Sequence, residues 1–210
     1  MLTLTILAGG ASTRMGQDKA LLDNGSGALL VRLASLGLRC DVSVLVVGRL
    51  RPVDWPLPGV AFLPDQIAHQ GPLGGLVTAL THTAPIILIA CDLAALNEEA
   101  LRWLIQTIAE KPLVDGVVVE RDGHSEPLFA CYTQRCLAAA QQRLQTGQRS
   151  LQRLISAGDF RHVALPPVLW PTLTNVNPPE EWQPFNLKTK LECKLPPQSG
   201  KDAKGKQVFE

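Results

Sequence analysis

A strand that runs straight into a double-glycine turn constrains this chain more than any other feature. Leu2-Thr3-Leu4-Thr5-Ile6-Leu7 is an apolar and β-branched run. It feeds without a spacer into Ala8-Gly9-Gly10-Ala11-Ser12-Thr13-Arg14-Met15-Gly16-Gln17-Asp18-Lys19. Adjacent glycines lack Cβ atoms, so the backbone there can turn tightly and approach a ligand closely. Successive amides in such a turn form a concavity that binds anions. Arg14 and Lys19 add positive charge a few residues downstream. Strand, glycine turn and two cations together suit a polyphosphate. The competing reading is a plain strand-to-helix turn with a solvated arginine and lysine.

The turn matches neither of the two commonest nucleotide motifs. Gly10 and Gly16 enclose five residues, and Gln17-Asp18 separate Gly16 from Lys19, so the Walker A spacing is absent. The dinucleotide pattern G-x-G-x-x-G is absent too.

The rest of the chain alternates strand-like and helix-like segments. Leu29 to Leu36 reads as a helix with Gly37 near its end. Val42 to Val47 is a β-branched run stopped by Gly48, and Val60 to Leu63 is a short strand ending at Pro64-Asp65. Gly71-Pro72-Leu73-Gly74-Gly75-Leu76 opens a helix through Leu80. Its glycines could let backbone lie flat against a base, or could mark an ordinary helix start. Ile86 to Ala90 is the most apolar strand and ends at Cys91-Asp92. Asn97 caps a helix running to about Ala109, with Glu98 and Glu99 in its first turn. Gly116 to Glu120 is a further strand, and Leu128 to Tyr132 pairs near it. Arg135 to Gln145 and Leu151 to Ala157 read as helices. This alternation predicts an α/β fold, a three-layer α/β/α Rossmann-like arrangement around a mainly parallel sheet.

Composition narrows the class. At 210 residues with 46% hydrophobic content, one domain with a sizeable core is expected. We assign residues 1–187 to it. Residues 188–210 contain Pro196-Pro197, Ser199-Gly200 and several lysines, and read as a flexible basic tail. The alternative is a basic arm for an acidic or phosphorylated partner. A net charge of +1 gives no drive toward nucleic acid or an anionic membrane. No apolar run reaches the length of a membrane span. No basic stretch precedes the first apolar residues, as a signal peptide would require. The five cysteines form no C-x-x-C pair, which reads as a reduced, cytoplasmic protein. The four histidines show no metal-ligand spacing.

In open parallel sheets, ligands bind at the carboxyl ends of the strands. Gly9-Gly10, Asp65 and Asp92 all stand just past predicted strand ends. A carboxylate held rigidly beside a triphosphate is a natural Mg²⁺ ligand, because Mg²⁺ takes one or two carboxylates plus phosphate oxygens. Asp92 is the candidate, against a turn or capping role. Asp65 could contact the nucleotide sugar or base, or could serve only the Pro-Asp turn.

The opening stretch resembles the nucleotidyltransferase signature LAGG-x-S-x-RMG-x-DK-x-LL, which Ala20-Leu21-Leu22 continues. It is most similar to the molybdenum cofactor guanylyltransferases. Gly71-Pro72-Leu73-Gly74-Gly75-Leu76 resembles their GPL-A/G-G segment, and Cys91-Asp92 their metal-binding CD. Pro127-Leu128-Phe129-Ala130-Cys131-Tyr132 resembles their PL-x-ALY strand. Thr174-Asn175-Val176-Asn177-Pro178-Pro179-Glu180-Glu181 resembles their N-I/V-N-T-P-E segment. The likeness runs from about Leu2 to about Trp182.

What the resemblance implies is a cytoplasmic nucleotidyltransferase moving GMP from MgGTP to molybdenum-molybdopterin. The product would be molybdopterin guanine dinucleotide, with pyrophosphate released. Leu7, Ala8 and Gly9 would contact the nucleotide through backbone, Lys19 its phosphates and Asp65 its guanosine part. Asp92 would bind Mg²⁺, Arg14 matches the family's loop arginine, and Asn175 and Asn177 match residues on the pterin side. Transient contact with other cofactor-synthesis or molybdoenzyme-maturation proteins would follow. The chain departs from the pattern at four places. Ala94 stands where the family usually has proline. Val47-Gly48 stands where many members end the second strand in asparagine. Glu126 stands where a histidine often precedes the proline. Asn177-Pro178-Pro179 replaces Asn-Thr-Pro. The same opening motif also serves transferases that use CTP or a sugar-phosphate acceptor. A nucleotide-binding regulator without turnover is the alternative of another class.

Overall fold

A computed structural model describes residues 1–9, 27–65, 70–112 and 114–174. In chain order the elements are β1 (Thr3–Leu7), α1 (Gly27–Arg39), β2 (Ser43–Val47), β3 (Val60–Leu63), α2 (Gly71–His82), β4 (Ile86–Ala90) and α3 (Glu98–Ala109). Then come β5 (Gly116–Arg121), β6 (His124–Tyr132), α4 (Leu137–Gln145), α5 (Leu151–Ala157) and β7 (Phe160–Ala164). The strands form one sheet in the order β3-β2-β1-β4-β6-β5-β7. β3, β2, β1 and β4 are mutually parallel, and β7 is parallel to β5. β6 alone runs antiparallel, to both β4 and β5.

The strand sequences explain why helices cover both faces. In β4 the continuous run Ile86-Ile87-Leu88-Ile89 leaves no polar face, so both sides must be buried. Ile87 and Ile89 pack with Leu30 and Leu33 of α1 and with Leu101 and Leu104 of α3. Ile86 and Leu88 pack with Leu73 and Leu76 of α2, Ala140 of α4 and Leu154 of α5. The period-two alternation of a strand thus divides the core into two layers, one on each side of the sheet. This is the expected three-layer α/β/α architecture.

Two segments add to the expected elements. Phe160–Ala164 pairs with β5, and a short three-ten helix spans Pro167–Leu173. β7 is an edge strand whose burial alternates, which is why its five residues carry little apolar signal. The first helix also runs through Gly37 to Arg39. There a Cβ would lie 2.7 Å from Val44 Cγ2 and 2.8 Å from Leu4 Cδ2, so Gly37 is a point of close helix-to-sheet packing. The expected boundary at 187/188 lies outside the described residues. Among the described residues, no helix is long and apolar enough to cross a membrane.

Candidate functional site

Register brings the separate sequence positions together. Leu7 pairs with Val47 on one side and Ala90 on the other, and Val47 pairs with Leu63. Four parallel strands therefore end on one line. Backbone bonds extend the ladder one step further. Ala8 N donates to Val47 O at 2.8 Å, Gly48 N to Leu63 O at 2.8 Å, and Cys91 N to Leu7 O at 3.1 Å. Gly9, Asp65 and Asp92 each stand two residues past the end of their own strand. Leu7 O and Ala8 N are thus engaged within the sheet, and exposed Gly9 is the first backbone beyond it.

Gly9 and Gly48 fit only because neither has a side chain. A Cβ on Gly9 would lie 2.7 Å from Asp65 Oδ2 and 2.8 Å from Gly48 Cα. A Cβ on Gly48 would collide with Gly9 N and lie 2.5 Å from Gly9 Cα. Gly48 also holds φ at +97°, a region that side chains disfavour. The space above β2 is left open, and the Asp65 carboxylate reaches across it to the β1 turn. The resemblance marked Val47-Gly48 as a departure; in the fold the glycine is what allows Asp65 and Gly9 to meet.

The two acids differ in environment. Asp65 is half-buried, and desolvation raises its carboxyl above the ordinary value of 3.8. Asp92 is exposed, and among the described residues no hydrogen bond reaches its carboxylate. Its backbone oxygen accepts from Ala94 N at 2.8 Å. It does not cap α3. Asn97 does, with Oδ1 accepting from Ala100 N at 2.9 Å. The local structural roles weighed for Asp92 therefore leave its side chain unexplained.

The donor set at this edge fits a hard divalent cation held mainly by its substrate. Among the described residues, no cluster of three or more His, Cys, Asp or Glu could hold a metal ion. One exposed carboxylate, Asp92, suits a cation whose other positions are filled by phosphate oxygens and water.

Gly71-Pro72-Leu73-Gly74-Gly75 proves to be the first turn of α2. Gly75 is buried where a Cβ would lie 2.6 Å from Leu7 Cδ2, and a Cβ on Gly74 would collide with the Gln70 side chain. Helix packing accounts for both glycines. Arg14, Lys19, Asn175 and Asn177 lie outside the described residues.

A cleft of about 230 Å³ opens beside Asp92, lined among others by Glu126, Pro127, Phe129, Arg149 and Ser150. The sequence singles out Glu126 as a departure but does not place it there. The available signal is Pro127, since proline inside a strand marks an edge or a bulge. Arg149 is exposed and carries no sequence signal of its own.

The sequence pattern of the MobA-like NTP transferase domain matches residues 4–163. A Nostoc sp. protein named "Probable molybdenum cofactor guanylyltransferase" is 33% identical over 193 residues, covering 86% of this chain and 88% of its own. Among solved structures, a protein from Aquifex aeolicus superposes with a TM-score of 0.70 at 22% identity, over 84% of this chain and 94% of that one. The molybdopterin-guanine dinucleotide biosynthesis protein A of Archaeoglobus fulgidus gives a TM-score of 0.66 at 17% identity, over 84% and 93%.

Proposed function

The chain belongs to the MobA-like NTP transferase family and is a nucleotidyltransferase, and from that premise we propose that it transfers GMP from MgGTP to molybdenum-molybdopterin. The products are molybdopterin guanine dinucleotide and pyrophosphate. The observation that carries this reading is the in-register convergence of Gly9, Gly48, Asp65 and Asp92 on one sheet edge.

The chemistry asks little of side chains as acids or bases. The nucleophile is the terminal phosphate of the acceptor, whose second pKa of about 6 leaves it ionised near neutral pH. One of its oxygens bonds to the α-phosphorus of GTP. The bond from that phosphorus to the bridging α–β oxygen breaks, and the electron pair leaves with pyrophosphate. No proton has to be removed, so no general base is needed. The protein's part is in-line positioning and neutralisation of charge.

Each residue has a place in that scheme. The Gly9 turn lets backbone lie against the nucleotide. Asp65 accepts hydrogen bonds from the guanosine part. Arg14 and Lys19 bring positive charge to the triphosphate. Asp92 holds Mg²⁺, which when bound neutralises charge on the α-phosphate and the leaving pyrophosphate. Asn175 and Asn177 serve the pterin side.

Pyrophosphate release, measured with molybdenum-molybdopterin and each of GTP, CTP, ATP and UTP, tests the reading. Release with GTP alone is expected. A preference for CTP would transfer the assignment to the cytidylyl reaction. Nucleotide binding without release from any of the four would make the protein a binding module.

A further inference from the structure

The cleft beside Asp92 is lined by a second acidic residue, Glu126, which stands at an irregularity of the sheet. β5 and β6 pair in one register up to Val118↔Ala130 and resume at Val119↔Glu126. Three residues of β6, Pro127 to Phe129, are thus extra on that strand. Such bulges re-aim side chains, and they recur beside active sites. The Tyr132 hydroxyl donates to Pro127 O at 2.8 Å and ties the bulge down. Arg121 Nε stands 2.9 Å from Glu126 Oε1. Among the described residues, no group bonds Oε2. The carboxylate is therefore held at one oxygen, and half-buried Pro127 lines the same cleft.

We propose that Glu126 selects the acceptor by accepting hydrogen bonds from the amino and ring N–H groups of its pterin, with Arg121 as the positioning residue. The inference rests on the acceptor being the pterin of the proposed reaction. A 2-amino-4-oxo pterin presents two adjacent N–H donors in the plane of its ring. An ionised carboxylate is acceptor-only, and two parallel charge-assisted bonds are its strongest mode of recognition. Guanine carries the same donor edge, but the sheet order keeps the two readers apart. Asp65 reaches to the β1 turn, whereas Glu126 lies on β6, with β4 between them. Each carboxylate then reads one heterocycle of the product.

The test is a fluorescence titration of the full chain with 6-hydroxymethylpterin and with 6-hydroxymethyllumazine, which has oxygen in place of the 2-amino group. Wild type should bind the pterin at least about tenfold more tightly, since a site built for a donor rejects an analogue lacking it. Glu126→Gln should abolish that preference, and Glu126→Asp should keep part of it. Melting temperatures and GTP affinity should match wild type in both variants. In transfer assays Glu126→Gln should raise KM for the acceptor and leave KM for GTP unchanged. A Glu126→Gln protein that keeps the wild-type preference would overturn the proposal. So would a wild type that binds both pteridines equally or binds neither. Absence of pyrophosphate release by wild type is a separate result and bears on the proposed function instead.

Discussion

Asp92 and Asp65 occupy equivalent positions, two residues past the ends of parallel strands β4 and β3, yet burial makes them respond differently to the same substitution. Asp92→Asn removes charge from an exposed side chain that caps nothing. Its melting temperature should match wild type, while turnover falls by several orders of magnitude at about 1.4 kcal/mol per tenfold. Steady-state kinetics with a Mg²⁺ titration checks this; near-normal transfer would refute the metal role. Asp65→Asn should instead stabilise the ligand-free protein, because the native carboxylate suffers desolvation. A raised carboxyl pKa means the folded state binds the proton more tightly than the unfolded chain. That contribution is present below pH 3.8 and is lost as pH rises through the raised value. At neutral pH, Asp65→Asn should melt about 1–3 °C higher than wild type, with the difference vanishing in acid. GTP affinity should fall about tenfold with loss of the charged acceptor. Calorimetric melts across pH, with GTP titrations at neutral pH, test both halves.

Glycines decide how the elements meet. Gly48→Ala places a Cβ against Gly9 at a backbone φ of +97°. Strain of this kind costs about 1–3 kcal/mol. The displacement falls on the β1 turn, so GTP binding should weaken more than the loss of stability alone would explain. Denaturant unfolding and GTP titration of the same variant separate the two effects. Gly37→Ala sits inside a helix, where alanine is favoured by about 1 kcal/mol. Its Cβ, however, would meet the stiff Val44 side chain at 2.7 Å. Overpacking costs about 1–3 kcal/mol, so the net change should be destabilising, without effect on nucleotide affinity. Equal or greater stability for Gly37→Ala would show that α1 can move off the sheet.

Across the whole molecule, the sheet separates support from chemistry. The parallel half, β3-β2-β1-β4, ends on the line that carries Gly9, Asp65 and Asp92, while antiparallel β6 brings its bulge to Asp92 from the other side. The core beneath is buried enough to silence its thiols. Burial pushes the Cys131 and Cys136 thiols up to about 12, so neither should be alkylated in the native state at pH 8. Mass spectrometry after iodoacetamide treatment reads this directly. Residues 188–210 are lysine-rich and poor in apolar side chains. Their removal after Leu187 should leave melting temperature and GTP affinity nearly unchanged. A large loss of stability would place them in the folded core, and loss of activity alone would support a basic arm.

The sequence by itself determined most of the elements, because those are a local matter of period and punctuation. The runs Thr3–Leu7, Ser43–Val47, Val60–Leu63 and Ile86–Ala90 were legible from β-branched and apolar residues bounded by glycine, proline or aspartate. The N-cap Asn97 was legible because a cap interacts within three residues of itself. The strand-end positions of Gly9, Asp65 and Asp92 followed from those boundaries and the parallel sheet they implied. Only the tertiary structure decided what depends on pairing between distant segments. The sheet order, the antiparallel course of β6 and the edge strand β7 are set by backbone partners far away in sequence. Gly48 read as a strand stop until Gly9, 39 positions away in sequence, was found against it. Glu126 read as a departure until a three-residue register shift turned it into a cleft beside Asp92. Propensity acts within a few residues, whereas register and burial are properties of the assembled sheet, and the shape of the site belongs to the second kind.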